Sequence, residues 1–599
     1  MPYAIINLSS VQSQVIEGRL GKVGVSEGLE IRNIPRFNGS ESEEEWKEKK
    51  ENFKVVLAYI FSNHWEDRKS VNPQFLHKRD AHVDFFSNYF FSRNSPLGLR
   101  ASTILIENDY TSLSYLKDYA NYYAYGYNNI VKTCKRIHFF SDDFKADEFE
   151  RDILSGSDPK FDYQKHYLGY VVIKPLPNSL IGPSLVKTYP TTREYPEFFK
   201  TRSYAQCKIY NVNLFGLKLK VESLVYQEQD QAVGSCATIS LWSSLHKISE
   251  LFQTRSPVPS EITKSAGLAI DSGRSFPNTG LALNQLIQAI DSIDDGLVSE
   301  VIVSHQKVMR LNRGALSIEK ELTLWQVKRI IRAYSKLGIP VLLGFAIPSV
   351  NSNHLVAVSG FGLTNKYSDS LLPNVGTQLF CVADRIIDFY VHDDQLGPFS
   401  KVGIDHARFS SHLLVDWRSE AESKLAIPLS LVVPISSFIK SSYTEIENIA
   451  EAIFQAFLIG GSNRGSGDKK FVLSTDIYIC TSNDFKSQIR ESNKYDSASR
   501  RGMLLESLPK YVWVIRFSHV KTSDLNVFYP MCDILMDATQ APSHLEMKQV
   551  VFGQSRSKEI FKRNLNNTKA KEILNNSASS TRQIQSKIIF ETLYKLINE

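Results

Sequence analysis

The sequence is poor in cysteine: six in 599 residues, none standing in a CxxC pair and none at zinc-ligand spacing. A disulfide framework needs denser cysteine and a structural zinc site needs close pairs, so both are excluded, and reduced thiols are expected. Charge of one sign is lacking as well. Seventy basic residues face 64 acidic ones, for a net charge of +6. No patch of excess charge argues for nucleic acid, and a nucleic-acid partner is not expected. Long hydrophobic runs are missing. The longest uncharged ones, near 338–350 and 426–439, contain prolines and fall short of the ~20 residues that a spanning helix requires. They read as buried strands, and no membrane association is expected. The first residues carry no basic leader, which points to the cytoplasm.

Several chemical signatures are absent too. The loop GSNRGSGDKK lacks the ending of a phosphate loop, and there is no GxSxG elbow. Nor is there a HExxH, an EF-hand or a paired-carboxylate helix, so neither metal nor cofactor is expected.

What the chain has is ordinary globular material, 42% hydrophobic and 11% aromatic. At this length two to four domains are expected within an α/β (α+β) class. An N-terminal accessory α/β region spans 1–220, a central chemical region 221–425 and a further α/β region 426–555. A polar tail, partly disordered or helical, covers 556–599. In the first region, 41–54 reads as a solvated helix with Trp46 and Phe53 inward, and 113–141 as an aromatic-rich helix. Its Tyr115, Tyr119, Tyr122 and Tyr123 are assigned to packing before base stacking. Strands are expected near 166–177, 429–433, 471–480, 511–517 and 528–540, and a helix over 445–457.

The informative passage is YQEQDQAVGSCATISLWSSLHKISELF, 226–252. Leu241, Trp242, Leu245, Ile248 and Phe252 recur at helical spacing after the turn and cap residues Gly234 and Ser235. Cys236 therefore opens a buried helix. The free N–H groups and dipole at such a position favour a thiolate, the reactive form of cysteine. Gln231 is placed to donate into an oxyanion hole beside the Cys236 amide, with Gln229 as an alternative. Downstream, 324–347 reads as helix, turn and strand. His354 then opens a strand over 355–359, a rigid seat for a general base. A third strand, 386–391, runs into Asp393 and Asp394. Alternation points one of them at His354, and Asp393 is favoured. His392 is taken as structural.

Cysteine, then histidine, then aspartate on successive elements is the order that a papain-type machine uses. QDQAVGSCATISLW (229–242), HLVAVSGFG and YVHDDQLGPF resemble the three signatures of papain-like cysteine peptidases, above all the bacterial bacteriocin-processing peptidases and their cytoplasmic relatives. The resemblance covers about a third of the chain. It implies a nucleophile helix packed on an antiparallel sheet, and a thiol protease cleaving a peptide or isopeptide bond. Cys236 would be the nucleophile, His354 the base, Asp393 the orienting acid and Gln231 the oxyanion donor. The expected partner is a protein or peptide substrate, with a partner protein or a second copy held by the flanking regions. The alternatives are transglutaminase-type or deamidase-type acyl transfer at the same triad, and an inactive papain-like binding or assembly module.

Overall fold

The computed structural model describes residues 3–7, 50–61 (without 52, 55 and 59), 73–90 and 99–598, the last span without 127–129, 156–158, 177–178, 192–199, 231–233, 268–279, 304–321, 366–379, 406–411, 417–422, 462–470, 496, 554 and 577–582. The protein is mixed α/β, and its sheets are antiparallel except for one short pairing.

The largest sheet closes on itself. Leu342–Ile347 pairs with Ser352–Thr364, which pairs with Ile386–Asp393. Gly397–Ile404, Leu413–Val415 and Lys424–Ser436 follow, and the last of these pairs back onto Leu342–Ile347. Six strands thus form a ring, which removes their free edges. Lys200–Ser203 and Leu297–Val303 pair onto it from outside. Closure depends on a glycine. A Cβ at Gly344 would sit 2.4 Å from Ser430 Oγ, at the point where the register shifts between Gly344 and Phe345. The strand Leu342–Ile347 is buried at five of its six positions, because both of its edges are paired and a long helix also packs against it.

That helix is Cys236–Phe252. Ser235 precedes it in an extended conformation, and Gln253 ends it in the left-handed region at φ 57°. Leu241, Trp242, Leu245 and Ile248 are fully buried. Each such side chain contributes about 1.5–3 kcal/mol relative to an exposed one. A second helix, Leu324–Ser335, carries a Thr323/Gln326 capping box and packs between the ring and a five-stranded C-terminal sheet.

That C-terminal sheet runs Phe380–Cys381, Phe471–Thr481, Tyr511–Lys521, Asp524–Asp537 and Met547–Phe552. Three of its strands, Phe471–Thr481, Tyr511–Lys521 and Asp524–Asp537, and the helix Tyr443–Gly461 lie where the sequence places them, whereas Met547–Phe552 is not among the expected strands. A further sheet gathers Tyr3–Asn7, Thr103–Tyr110, Cys134–Phe140, Tyr167–Ile173 and Leu185–Val186.

The aromatic-rich helix expected over 113–141 is not continuous. The helix stops at Asn121, and Cys134–Phe140 is a strand. The tyrosine spacing carries a helical reading past Gly126, whereas Ile137, Phe139 and Phe140 belong to a buried strand inside a sheet. In the tail, Ser555–Leu565, Thr568–Asn576 and Gln583–Asn598 are helices. Phe561, Leu565, Leu593 and Ile597 are buried at 0% exposure, so these helices pack against the body. Trp46 lies outside the described residues, while Phe53 is buried in a helical stretch as expected. Among the described residues no helix is long and apolar enough to cross a membrane.

Candidate active site

Cys236, His354, Asp393 and Asp394 come together where the helix Cys236–Phe252 meets two adjacent strands of the ring. Cys236 is the first residue of its helix and is half-buried; the other five cysteines are buried. Burial raises all five of those thiols, with Cys134 and Cys480 reaching about 12. His354 lies on Ser352–Thr364 opposite Phe345, whose ring meets the imidazole edge-on. Its Nε2 lies 3.0 Å from Asp393 Oδ1 and 3.5 Å from Asp394 Oδ1. The Cys236 side chain is a further hydrogen-bond partner of the imidazole.

The expectation that strand alternation would turn only one aspartate toward His354 does not hold. The ladder shifts register between Val391 and Asp393, and the strand ends there. Beyond a bulge the alternation of faces is lost, so both carboxylates converge on one imidazole. Asp393 is also fixed by the Gln395 amide, which donates to its Oδ1 at 2.9 Å.

Burial alone would push the His354 imidazole down. The charges of Asp393 and Asp394, with hydrogen bonds to Asp393 and Cys236, overturn this and hold it well above its ordinary value. Burial likewise raises Asp394 to about 7, against the attraction of His354 and with the help of Asp393. The cluster therefore holds a proton on the ring while its second carboxyl titrates near neutrality. One ring nitrogen and one oxygen from each carboxylate lie within 4.8 Å of one another, a set that could hold a metal ion. A metal would need the lone pair of that nitrogen, whereas the paired carboxylates keep a proton there.

These shifts have a consequence for stability. The Asp394 carboxyl moves from 3.8 to about 7 on folding, so between those values the folded chain keeps a proton that the unfolded chain releases. Stability contributed by this group falls as pH rises through that window. His354, raised above 6.5, contributes stability fully present below 6.5 and lost as pH climbs through its folded value. Urea midpoints are expected to be lower at pH 8 than at pH 5. Asp394→Asn should raise the midpoint at pH 8 and flatten the slope. An unchanged slope would assign the titration to other groups.

Serines staple the helix Cys236–Phe252 to its surroundings. Ser240 Oγ donates to Leu355 O at 2.8 Å, Ser243 Oγ to Val225 O at 2.6 Å and Ser244 Oγ to Pro340 O at 2.9 Å. Ser240 thus ties the helix to the residue after His354. Ser240→Ala is expected to cost about 1 kcal/mol in urea unfolding, the worth of one buried hydrogen bond. It should also slow alkylation of Cys236 severalfold, and an unchanged alkylation rate would show that this bond does not position the pair. His392 is engaged away from the cluster: its Nδ1 lies 3.1 Å from Val225 O and 3.3 Å from Ser243 Oγ, and burial lowers it to about 3.

Gln231 lies outside the described residues. Gln229 is partly buried, two residues before that gap. Between them Asp230 anchors the loop: its Oδ1 accepts from the Gly234 amide at 3.1 Å, and its Oδ2 accepts from the Tyr123 hydroxyl. The tyrosine-rich segment is thereby tied to Asp230, six residues before Cys236, a link that no local pattern in the sequence signals.

Comparison with protein-family models, with curated proteins and with solved structures finds no match for this chain. Fold and site are read from its own residues.

Proposed function

We propose that the chain is a thiol hydrolase cleaving a peptide or isopeptide bond, with Cys236 as nucleophile, His354 as acid–base and Asp393 as the orienting carboxylate. One observation carries this reading. A half-buried cysteine at a helix start shares a hydrogen bond with a histidine whose Nε2 is held 3.0 Å from a buried aspartate. A papain-like layout is supported by the packing of that helix on antiparallel strands bearing the histidine and the aspartates.

In the reaction the Cys236 sulfur attacks the carbonyl carbon. The resulting oxyanion is met by the Cys236 amide and by the side chain of Gln231 or Gln229. Collapse breaks the C–N bond as His354 gives its proton to the departing amine, leaving an acyl thioester. Neutral His354 then takes a proton from water, and the hydroxyl displaces the sulfur to release the acid. Asp393 holds the ring in place through both steps. The flanking regions select the protein or peptide substrate. Six free thiols suit a cytoplasmic setting.

The test is incubation of the full-length protein with a complex peptide mixture, with and without a chelator, followed by mass spectrometry of new termini. Cleavage that is lost in Cys236→Ala and insensitive to the chelator is the expected result. Absence of new termini, or their persistence in Cys236→Ala, would overturn the reading. Chelator-sensitive cleavage would move the chemistry to a metal held by His354, Asp393 and Asp394.

A further inference from the structure

A cavity of about 190 Å³ lies away from the candidate active site, between the ring, the helix Leu324–Ser335 and the C-terminal sheet. It opens at the far end of the ladder that carries His354. Leu363 lines it, nine residues along the same strand, or ~30 Å of extended chain.

Its charge is unusual. Arg332, Lys336, Arg385 and Arg516 all line it, with Asp476 as the one lining carboxylate. Arg332 Nη2 pairs with Asp476 Oδ2 at 2.8 Å, and Arg516 forms a two-pronged pair with Asp533. Among the described residues Arg385 is held by neutral acceptors: the carbonyls of Thr364 and Leu525 and the side chains of Asn365 and Asn526. Lys336 forms no ion pair among the described residues. Among the described residues, two of the four cations therefore lack a carboxylate partner. The effect on them is visible. The charge of Arg332, ahead of burial, lowers the Lys336 ammonium to about 8, and burial followed by Arg332 lowers Arg385.

The same wall carries four buried polar atoms with no hydrogen-bond partner among the described residues: Ser474 Oγ, Ser518 Oγ, Arg332 Nε and Asp476 Oδ1. Their residues are at most 9% exposed. Orphaned buried polar groups cost about 1–3 kcal/mol each and are rare in folded proteins, so their gathering in one cationic cavity calls for an occupant.

We propose that this cavity binds a small phosphate monoester bearing a hydroxyl close to its phosphate. The guanidinium groups already donate to protein acceptors, so they offer a phosphate their positive charge and their remaining N–H groups, and a lysine adds a point charge at the mouth. The Ser474 and Ser518 hydroxyls and Arg332 Nε supply further donors. Asp476 Oδ1 is an acceptor, so the ligand must bring a donor of its own. Size limits the choice. The volume is a little above the ~150 Å³ of a cavity that holds benzene, which suits about ten non-hydrogen atoms and excludes a nucleotide. The proposal stands independently of the thiol chemistry.

The test is isothermal titration of the full-length protein with glycerol 1-phosphate and with succinate. Glycerol 1-phosphate is expected to bind with a dissociation constant below about 1 mM and at least about tenfold tighter than succinate. Arg385→Gln and Lys336→Gln should each weaken it by about tenfold or more, as expected for a lost charged hydrogen bond. Lys336 is exposed at the rim, so its substitution leaves the fold intact if that of Arg385 does not. No saturable binding up to about 10 mM, succinate binding as tightly as the phosphate ester, or an unchanged affinity in Lys336→Gln would each overturn the assignment.

Discussion

Replacing His354 with glutamine is expected to slow alkylation of Cys236 by a peptidyl electrophile at neutral pH by about a hundredfold or more, within the range that a positioned acid–base group contributes. Labelling of Cys236 in the wild type would not be informative alone. It is the one cysteine that is not buried, and the other five thiols are raised by burial, so any electrophile reaches Cys236 first. Dependence on His354 is the discriminating quantity. A thiol that merely sits at the surface keeps its rate when a neighbour changes. A sulfur paired with an imidazolium does not, because the positive ring favours the ionised, nucleophilic form. Glutamine keeps hydrogen-bonding capacity facing Asp393 and removes the charge, so the loss would report the proton and not the packing. The rate is read by intact-mass spectrometry over time, with Cys236→Ala to confirm the site. Equal rates in wild type and His354→Gln would remove the enzymatic reading and favour a binding or assembly module.

The sequence makes the two halves of this pair legible for different reasons. Cys236 is legible because its helix has an unbroken apolar period and begins after Gly234-Ser235, a local signal that needs no tertiary knowledge. His354 is legible because it opens a strongly apolar run that can only be a buried strand. The second carboxylate is not legible. Alternation along 386–394 is a rule for regular strands, and the register shift before Asp393 suspends it. The support from Tyr123 through Asp230 is hidden by its sequence separation of 107 residues. The cationic cavity is hidden more deeply. Its residues come from separate segments between Arg332 and Phe528, and no single segment carries a motif. Ring closure is concealed in the same way, because nothing local in 342–347 and 424–436 says that these two strands pair.

Asp384→Ala is expected to destabilise the fold by about 3–5 kcal/mol, the cost of leaving one half of a buried ion pair behind. Asp384 is fully buried in the turn Val382–Arg385, which feeds the strand carrying the aspartates. Its two oxygens accept from Arg329 Nε and Nη2 at 3.0 and 3.1 Å, and Oδ2 also accepts from the Cys381 amide at 2.9 Å. Burial outweighs Arg329 here and raises the carboxyl, so the pair contributes little net stability while its loss by halves is costly. After the substitution Arg329 still pairs with Glu447, at 3.0 Å, but loses its two-pronged partner, and the Cys381 amide loses its acceptor. The pairing also has a geometric role. Arg329 belongs to the helix Leu324–Ser335, so the bridge fixes the start of the aspartate strand against that helix. Urea unfolding should show a large fall in midpoint for Asp384→Ala. The double substitution Arg329→Met with Asp384→Leu, which removes both charges and fills the space, should lose much less. A double variant as unstable as the single one would show that the turn depends on the carboxylate as a cap, and not on charge left unpaired in the interior.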